Sequence, residues 1–302
     1  MFWSLLVTRI EVQKTWKLFI GGAFPRTESG RTIVVSDAKG QVVAHCCRAS
    51  RKDLRNAVET ARKALPGWWG RDAYNRGQIL YRLAEMAEAR SSELVDSIRA
   101  APDSSSGRHP TAAAARSQVE ASIDRLVAFA GWCDKYPQVV GCRNPVNGPY
   151  HDFTMPEPTG VCAAILPDSS TLLGLVSVIA PMLAGGNVVV AMVGDGNPLP
   201  AMTFAEICAT SDVPSGVVNI LTGLRDELIP EIARHRDIDA IGGAFESFEE
   251  RKTLESGAAD DLKRVRLLDA NQIDWKDSAE RESPWTIEPF TEMKTIWHPS
   301  GA

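Results

Sequence analysis

Between residues 157 and 243 the sequence alternates short apolar runs with helical patterns, and this cycle admits few architectures. The runs cover residues 161–166, 187–191, 216–221 and 238–241; they are short, predominantly apolar and rich in β-branched residues. Continuous apolar strands suit a parallel sheet covered on both faces, because neither face meets water. Helices are expected between them over residues 172–183, 198–210 and 226–235. The repeat specifies an α/β fold with a doubly wound parallel sheet, and any ligand site then lies beyond the carboxyl ends of the strands.

Residues 17–25, 31–36 and 41–46 read as three strands of a small antiparallel meander. Ser50 is placed to cap a helix over 52–65, in which Leu54, Ala57, Val58, Ala61 and Ala64 share one face. That helix is expected to stop at Pro66-Gly67, leaving Trp68-Trp69 in the connection. Helices over 74–89 and 92–100 follow, then a breaker-rich loop and a long helix over 111–135. His109, in the loop, has no acid or Cys patterned beside it and is expected to face solvent. Two extended runs flank Asn147-Gly148 within 138–156, a hairpin signal. Phe2, Trp3, Leu5 and Leu6 form an apolar cluster expected to pack on the chain's own body or to meet another chain.

Charge and cysteines narrow the function classes. A net charge of −5 over 302 residues, with no basic cluster beyond Arg48, Arg51 and Lys52, argues against nucleic acid or an anionic membrane. The six cysteines form no CxxC pair and have no neighbouring His, so no metal site is expected. They read as reduced, mostly buried thiols of a cytoplasmic protein.

Several motifs in order carry a resemblance: Leu18-Phe-Ile-Gly-Gly22, Gly131-Trp-Cys-Asp-Lys-Tyr136, Glu157-Pro-Thr-Gly-Val161, Leu183-Ala-Gly-Gly-Asn-Val-Val-Val190, Val213-Pro-Ser-Gly-Val-Val-Asn-Ile220 and Asp237-Ile-Asp-Ala-Ile241. Together, across residues 16–269, they resemble the aldehyde dehydrogenase superfamily. The resemblance implies its Rossmann-like coenzyme domain with an antiparallel oligomerisation arm. The family's site residues do not carry over. Ser169 stands where the family has the Asn that donates to the oxyanion, and losing such a donor costs roughly 3 kcal/mol of transition-state stabilisation. Met192 replaces the Lys that binds the adenosine ribose, although Asp195 keeps an acceptor nearby. Phe245 and Glu246 replace the Gly-Ser that faces the pyrophosphate. A carboxylate there costs on the order of 4 kcal/mol against a phosphate about 4 Å away. Glu246 is expected to cap its own helix instead. Leu268 replaces the general base, and Asp269 lies on the other face of an extended segment. No cysteine matches the nucleophile.

The resemblance further implies that the family's catalytic domain is absent. Residues 270–287 read as a polar linker in its place, and residues 288–302 then resemble the terminal arm strand. The implied organisation is an N-terminal meander with helices over 1–137, an oligomerisation hairpin over 138–156 and a Rossmann-like core over 157–269, followed by the linker and the arm strand. The expectation is a non-catalytic pseudoenzyme with no cofactor and no metal of its own. It would pair, through strands in 138–156 and 288–298, with a full-length aldehyde dehydrogenase subunit that holds the NAD(P). Two other readings stay open: a residual NAD-binding oxidoreductase or sensor using Asp195, and a scaffold that tethers another enzyme through Phe2-Trp3 or the Trp275–Trp285 connection.

Overall fold

A three-stranded sheet opens the fold: β1 (Thr15–Trp16), β2 (Thr32–Ser36) and β3 (Val42–Cys47), in the order β1-β3-β2. The computed structural model describes residues 13–104 and 106–301, so the apolar cluster at Phe2, Trp3, Leu5 and Leu6 lies outside the described residues. The sheet is not the expected meander, since β1 runs parallel to β3 and residues 17–25 leave it. Phe19 instead exchanges backbone hydrogen bonds with Ile220, at 2.9 and 2.8 Å, on the edge of the central sheet. Burial explains the choice: Leu18 and Phe19 are enclosed there, and the larger core removes more apolar surface from water.

A helical layer follows, made of α1 (Arg51–Trp69), α2 (Ala73–Ala89), α3 (Ser91–Arg99) and α4 (Ala112–Val140). Ser50 caps α1 as expected, its side chain accepting from the Asp53 N–H while the Asp53 carboxylate accepts from the Ser50 N–H. The helix does not stop at Pro66: Trp68, expected in a connection, is fully buried as part of it. Packing of an indole outweighs the single backbone hydrogen bond that a proline removes. Likewise α4 continues through Pro137, which makes residues 138–140 helical rather than the first run of a hairpin. His109, exposed as expected, joins two loops: its Nε2 accepts from the Ala38 N–H and its Nδ1 lies 2.9 Å from the Arg99 carbonyl.

Beyond β4 (Cys142–Arg143) and β5 (Tyr150–Pro158) comes the repeat: β6 (Val161–Ile165), α5 (Thr171–Ala184), β7 (Val188–Val193), α6 (Leu199–Thr210), β8 (Val218–Thr222), α7 (Arg225–Ala233), β9 (Ala240–Phe245), α8 (Phe248–Ala259) and β10 (Arg264–Asp269). The five strands are parallel, in the order β10-β9-β6-β7-β8. The expected doubly wound sheet is present, with α8 and a fifth strand added to the four apolar runs. Every residue of β6, β7, β8 and α5 is buried, as their predominantly apolar sequence requires, and buried Asn219 and Thr222 are hydrogen-bonded to backbone carbonyls. At Gly243 (φ +129°) β9 passes so close to β6 that a Cβ would collide with the Ile165 carbonyl.

Residues 270–287 are not the polar linker that their composition suggests. They form α9 (Ser278–Arg281) and a 3-10 turn (Pro284–Thr286), and Trp275 and Ile287 are buried in the main core together with Phe290. Buried Arg125 of α4 donates to the Trp275 carbonyl at 2.7 Å and so fixes the segment. A final strand, β11 (Thr291–Pro299), pairs antiparallel with β5 from Thr291↔Pro158 to Pro299↔Tyr150, in a sheet ordered β11-β5-β4. Asn187 anchors this arm to the core: its Oδ1 accepts from the Gly160 N–H and its Nδ2 donates to the Phe290 carbonyl, both at 2.9 Å. The outer edge of β11 has no partner strand among the described residues, and Met155, Met293 and Trp297 are exposed on the arm. No helix among the described residues is long and apolar enough to cross a membrane.

Candidate functional site

A sheet wound in both directions from β6 opens a crevice where β6 and β9 diverge, beyond their carboxyl ends. This chain fills that crevice with its own side chains. Arg225, the first residue of α7, is buried and donates Nη1 to the Leu166 carbonyl just past β6 and Nη2 to the Ala244 carbonyl on β9, the latter at 3.1 Å. Its Nε and Nη2 hold the Glu250 carboxylate at 2.5 and 2.9 Å, a bidentate pair. Glu250 Oε2 also accepts from the Glu246 N–H at 2.7 Å, and Glu246 Oε1 accepts from the Asp168 N–H at 2.9 Å. Asp168 Oδ1 is 3.8 Å from Arg225 Nη1, and its carboxylate lies so close to Gly194, just past β7, that a Cβ there would collide with it.

The electrostatics follow from this closure. Burial opposes the Arg225 charge, but Glu250, Asp168 and Glu246 outweigh it and hold the guanidinium protonated above its usual range. Burial pushes the Asp168 carboxyl up to about 6, against the pull of Arg225 and with the help of Glu246, Asp195 and Glu250. Asp168 therefore binds its proton more tightly folded than unfolded, and its ionisation lowers stability as pH rises from 3.8 to about 6. Asp168→Asn is expected to raise the unfolding free energy by ~2 kcal/mol at pH 7.5 and to leave it unchanged near pH 4. Urea titrations at the two pH values check this; an equal effect at both would show that Asp168 does not carry the strain of the cluster.

The sequence-derived positions are dispersed around this cluster. Glu246 belongs to it but does not cap α8: Ser247 does, its Oγ accepting from the Glu250 N–H at 3.2 Å. The shorter serine side chain reaches that N–H, while the Glu246 carboxylate is held by Asp168. Phe245 is half-buried at the end of β9, with the Arg251 guanidinium 5.7 Å from its ring centroid. Met192 is not at an open strand end; it is fully buried within β7, level with Ile165 and Leu221. Asp195 is exposed and acts electrostatically on both Arg48 and Asp168. Ser169 sits in the turn before α5, next to Ser170, whose φ of +52° is a strained left-handed conformation. Leu268, on β10 opposite Ala244, lines a separate cavity beneath Trp275. Asp168, Arg225 and Glu250 escaped sequence reasoning because their partners are distant in the chain. The only local signal was an acid following Leu166-Pro167.

Chemistry is limited by these environments. Burial pushes the Cys46 and Cys133 thiols up to about 12 and raises those of Cys162 and Cys208 as well, which keeps them protonated and poorly nucleophilic. Among the described residues no three His, Cys, Asp or Glu come together to hold a metal ion. The residues at the crevice do not fit a dinucleotide. A pyrophosphate needs free N–H groups at a helix N-terminus, whereas the N–H groups of Glu246 and Glu250 are taken and the first turn of α8 carries Glu249 and Glu250.

Comparison with known proteins places this geometry in a lineage. Residues 24–267 match the aldehyde dehydrogenase family. The chain is 35% identical to retinal dehydrogenase 2 of Mus musculus over 262 residues, covering 85% of this chain and 49% of that protein. It is 32% identical to the cytosolic 10-formyltetrahydrofolate dehydrogenase of the same organism over 268 residues, covering 86% of this chain and 29% of the relative. The solved NAD+ complex of an aldehyde dehydrogenase from Bacillus cereus superposes with a TM-score of 0.78 at 26% identity, over 86% of this chain and 53% of that one. The chain thus spans half or less of the length of these curated relatives, and the catalytic domain of the solved enzymes is largely absent from it. With residues 24–267 matching the family and the fold superposing on a solved member, the chain belongs to the aldehyde dehydrogenase family.

Proposed function

We propose that this chain is a non-catalytic aldehyde dehydrogenase-like subunit, a pseudoenzyme that assembles with a full-length aldehyde dehydrogenase and supports or regulates it. The partner supplies the active site and the NAD(P). The observation that carries this reading is the filled crevice: Arg225, Glu250, Glu246 and Asp168 occupy the switch point of the sheet. A dinucleotide would have to break that buried ion pair before it could bind. The oxyanion and general-base positions, Ser169 and Leu268, cannot take over the chemistry.

The arm supports the partner half of the proposal. An unpaired strand edge with exposed apolar side chains favours strand addition. Because the family's catalytic domain is largely missing between β10 and β11, a second copy of this chain offers no such domain for the arm to join. Tagged protein expressed in its native host is expected to co-purify with a full-length aldehyde dehydrogenase. Replacing exposed Met293 and Trp297 by Asp is expected to reduce recovery at least tenfold while leaving the fold intact. Recovery of some other enzyme, and no aldehyde dehydrogenase, would make the chain a scaffold. Titration with NAD+, followed through the eight tryptophans, is expected to be flat to millimolar concentration; micromolar binding would restore the sensor reading built on Asp195.

A further inference from the structure

The basic residues Arg48, Arg51 and Lys52, the one such cluster in the sequence, take no part in the crevice, and the fold adds Arg55 and Arg234 beside them. A cleft of about 720 Å³ opens there, where α1 begins and α7 ends. That volume lies within the roughly 300–1,000 Å³ typical of ligand sites. None of Asp168, Arg225, Glu246 or Glu250 lines it.

The charge of the cleft is opposite to that of the chain. Arg51, Lys52, Arg55 and Arg234 line it with only two carboxylates, Glu28 and Glu231, in a protein whose net charge is −5. Glu231 is shared, since Arg51 Nε approaches it at 3.0 Å and Arg234 Nη2 at 3.5 Å. One turn earlier on α7, Arg31 and Arg48 share Glu227 in the same way. One carboxylate neutralises one guanidinium, so each pair leaves a positive charge over. Lys52 pairs with Glu28, and Arg55 reaches Glu59 along α1 at 3.7 Å. Asp53 does not line the cleft; its carboxylate is buried and accepts from Thr27 Oγ1 at 2.7 Å and from the Ser50 N–H at 2.8 Å. Burial, with the help of Lys263, holds the His235 imidazole below its usual range against Asp237, Glu231 and Glu59, so this wall is neutral at pH 7.5.

We propose that this cleft binds a small polyphosphate, a ligand carrying three or more negative charges on adjacent phosphate groups. A lone anion gains little here, because it competes with Glu231 for guanidiniums that are already partly paired. A phosphate chain can engage Arg51, Arg55 and Arg234 together. Arg51 and Arg55 stand one turn apart on one face of α1, and each meets its carboxylate through Nε, which leaves the terminal nitrogens that grip phosphate. The site depends neither on the filled crevice nor on the nature of any partner subunit. The pyrophosphate of NAD+ carries only two charges, so a flat NAD+ titration and polyphosphate binding are independent results.

Calorimetry on the full chain at low ionic strength, with inorganic tripolyphosphate as probe, tests the site. Tripolyphosphate is expected to bind at least tenfold more tightly than orthophosphate. Arg51→Ser with Arg234→Ser is expected to weaken it at least tenfold, whereas Arg82→Ser with Arg116→Ser, which removes two exposed arginines elsewhere, is expected to change it less than twofold. Glu231→Gln, which frees both guanidiniums, is expected to tighten binding at least threefold. ATP that binds as tightly as tripolyphosphate, and is lost in the same variant, identifies a nucleoside polyphosphate; weaker ATP binding identifies a bare phosphate chain, and both uphold the site. The proposal is overturned if tripolyphosphate does not bind at millimolar concentration, if orthophosphate binds equally well, or if the two arginine pairs lose binding alike. Should the Arg51 and Arg234 variant fail to fold, Glu231→Gln decides, and unchanged or weaker binding there overturns the proposal.

Discussion

Arg225→Met is expected to lower the unfolding free energy by about 3–5 kcal/mol at pH 7, because it removes one half of a buried ion pair and leaves the other half behind. Glu250 would remain in its half-buried position with only the Glu246 N–H, and the carbonyls of Leu166 and Ala244 would lose their donor. The second variant, Arg225→Met with Glu250→Gln, is expected to recover roughly half of that loss, since a neutral amide costs less to bury than an unpaired carboxylate. Urea denaturation of the parent, single and double variants gives the coupling directly. Additive losses would mean that the two groups do not act as a pair.

Trp275→Ala is expected to cost about 3–5 kcal/mol, the range for removing a large aromatic from a core. Trp275 is 5% exposed, whereas Trp285, ten residues further along, is 61% exposed. Trp285→Ala is expected to cost less than ~0.5 kcal/mol, as for surface substitutions generally. The contrast separates a docked segment from a loose connection, and equal midpoints in urea would place residues 270–287 in solvent. The same experiment reports on the arm, because Trp275 and Ile287 hold the chain against the core just before β11 begins.

The central sheet was legible because its information is local. β6 and β7 are apolar through their whole length and β8 nearly so, with Asn219 and Thr222 as its polar members, and a strand buried on both faces carries that signature wherever it lies in a chain. Caps were legible for the same reason: Ser50 needs only Asp53 three residues on. Where two local rules competed, sequence reasoning chose wrongly. Pro66 and Pro137 both sit within helices that were expected to end earlier, because burial of Trp68 and Tyr136 beside them outweighs the lost backbone bond.

The site divides in the same way. Ser169, Phe245, Glu246 and Leu268 were identifiable as departures at positions where a chemistry needs particular residue types, but only Glu246 among them belongs to the cluster that fills the crevice. Arg225 meets Leu166, Ala244 and Glu250, separated from it by 59, 19 and 25 residues, so no window along the chain could pair them. Residues 270–287 are polar on average, and one indole and one isoleucine among them decide where the segment goes.

The sequence alone therefore determined the parallel strands of the central sheet and the order of the helices, since these depend on residue type and short spacing. Only the tertiary structure decided that the crevice between β6 and β9 is occupied by an internal ion pair and that residues 270–287 are folded onto the core. Both arise from contacts between side chains far apart in the chain, where burial sets the worth of a charge or an indole, and burial is a property of the fold.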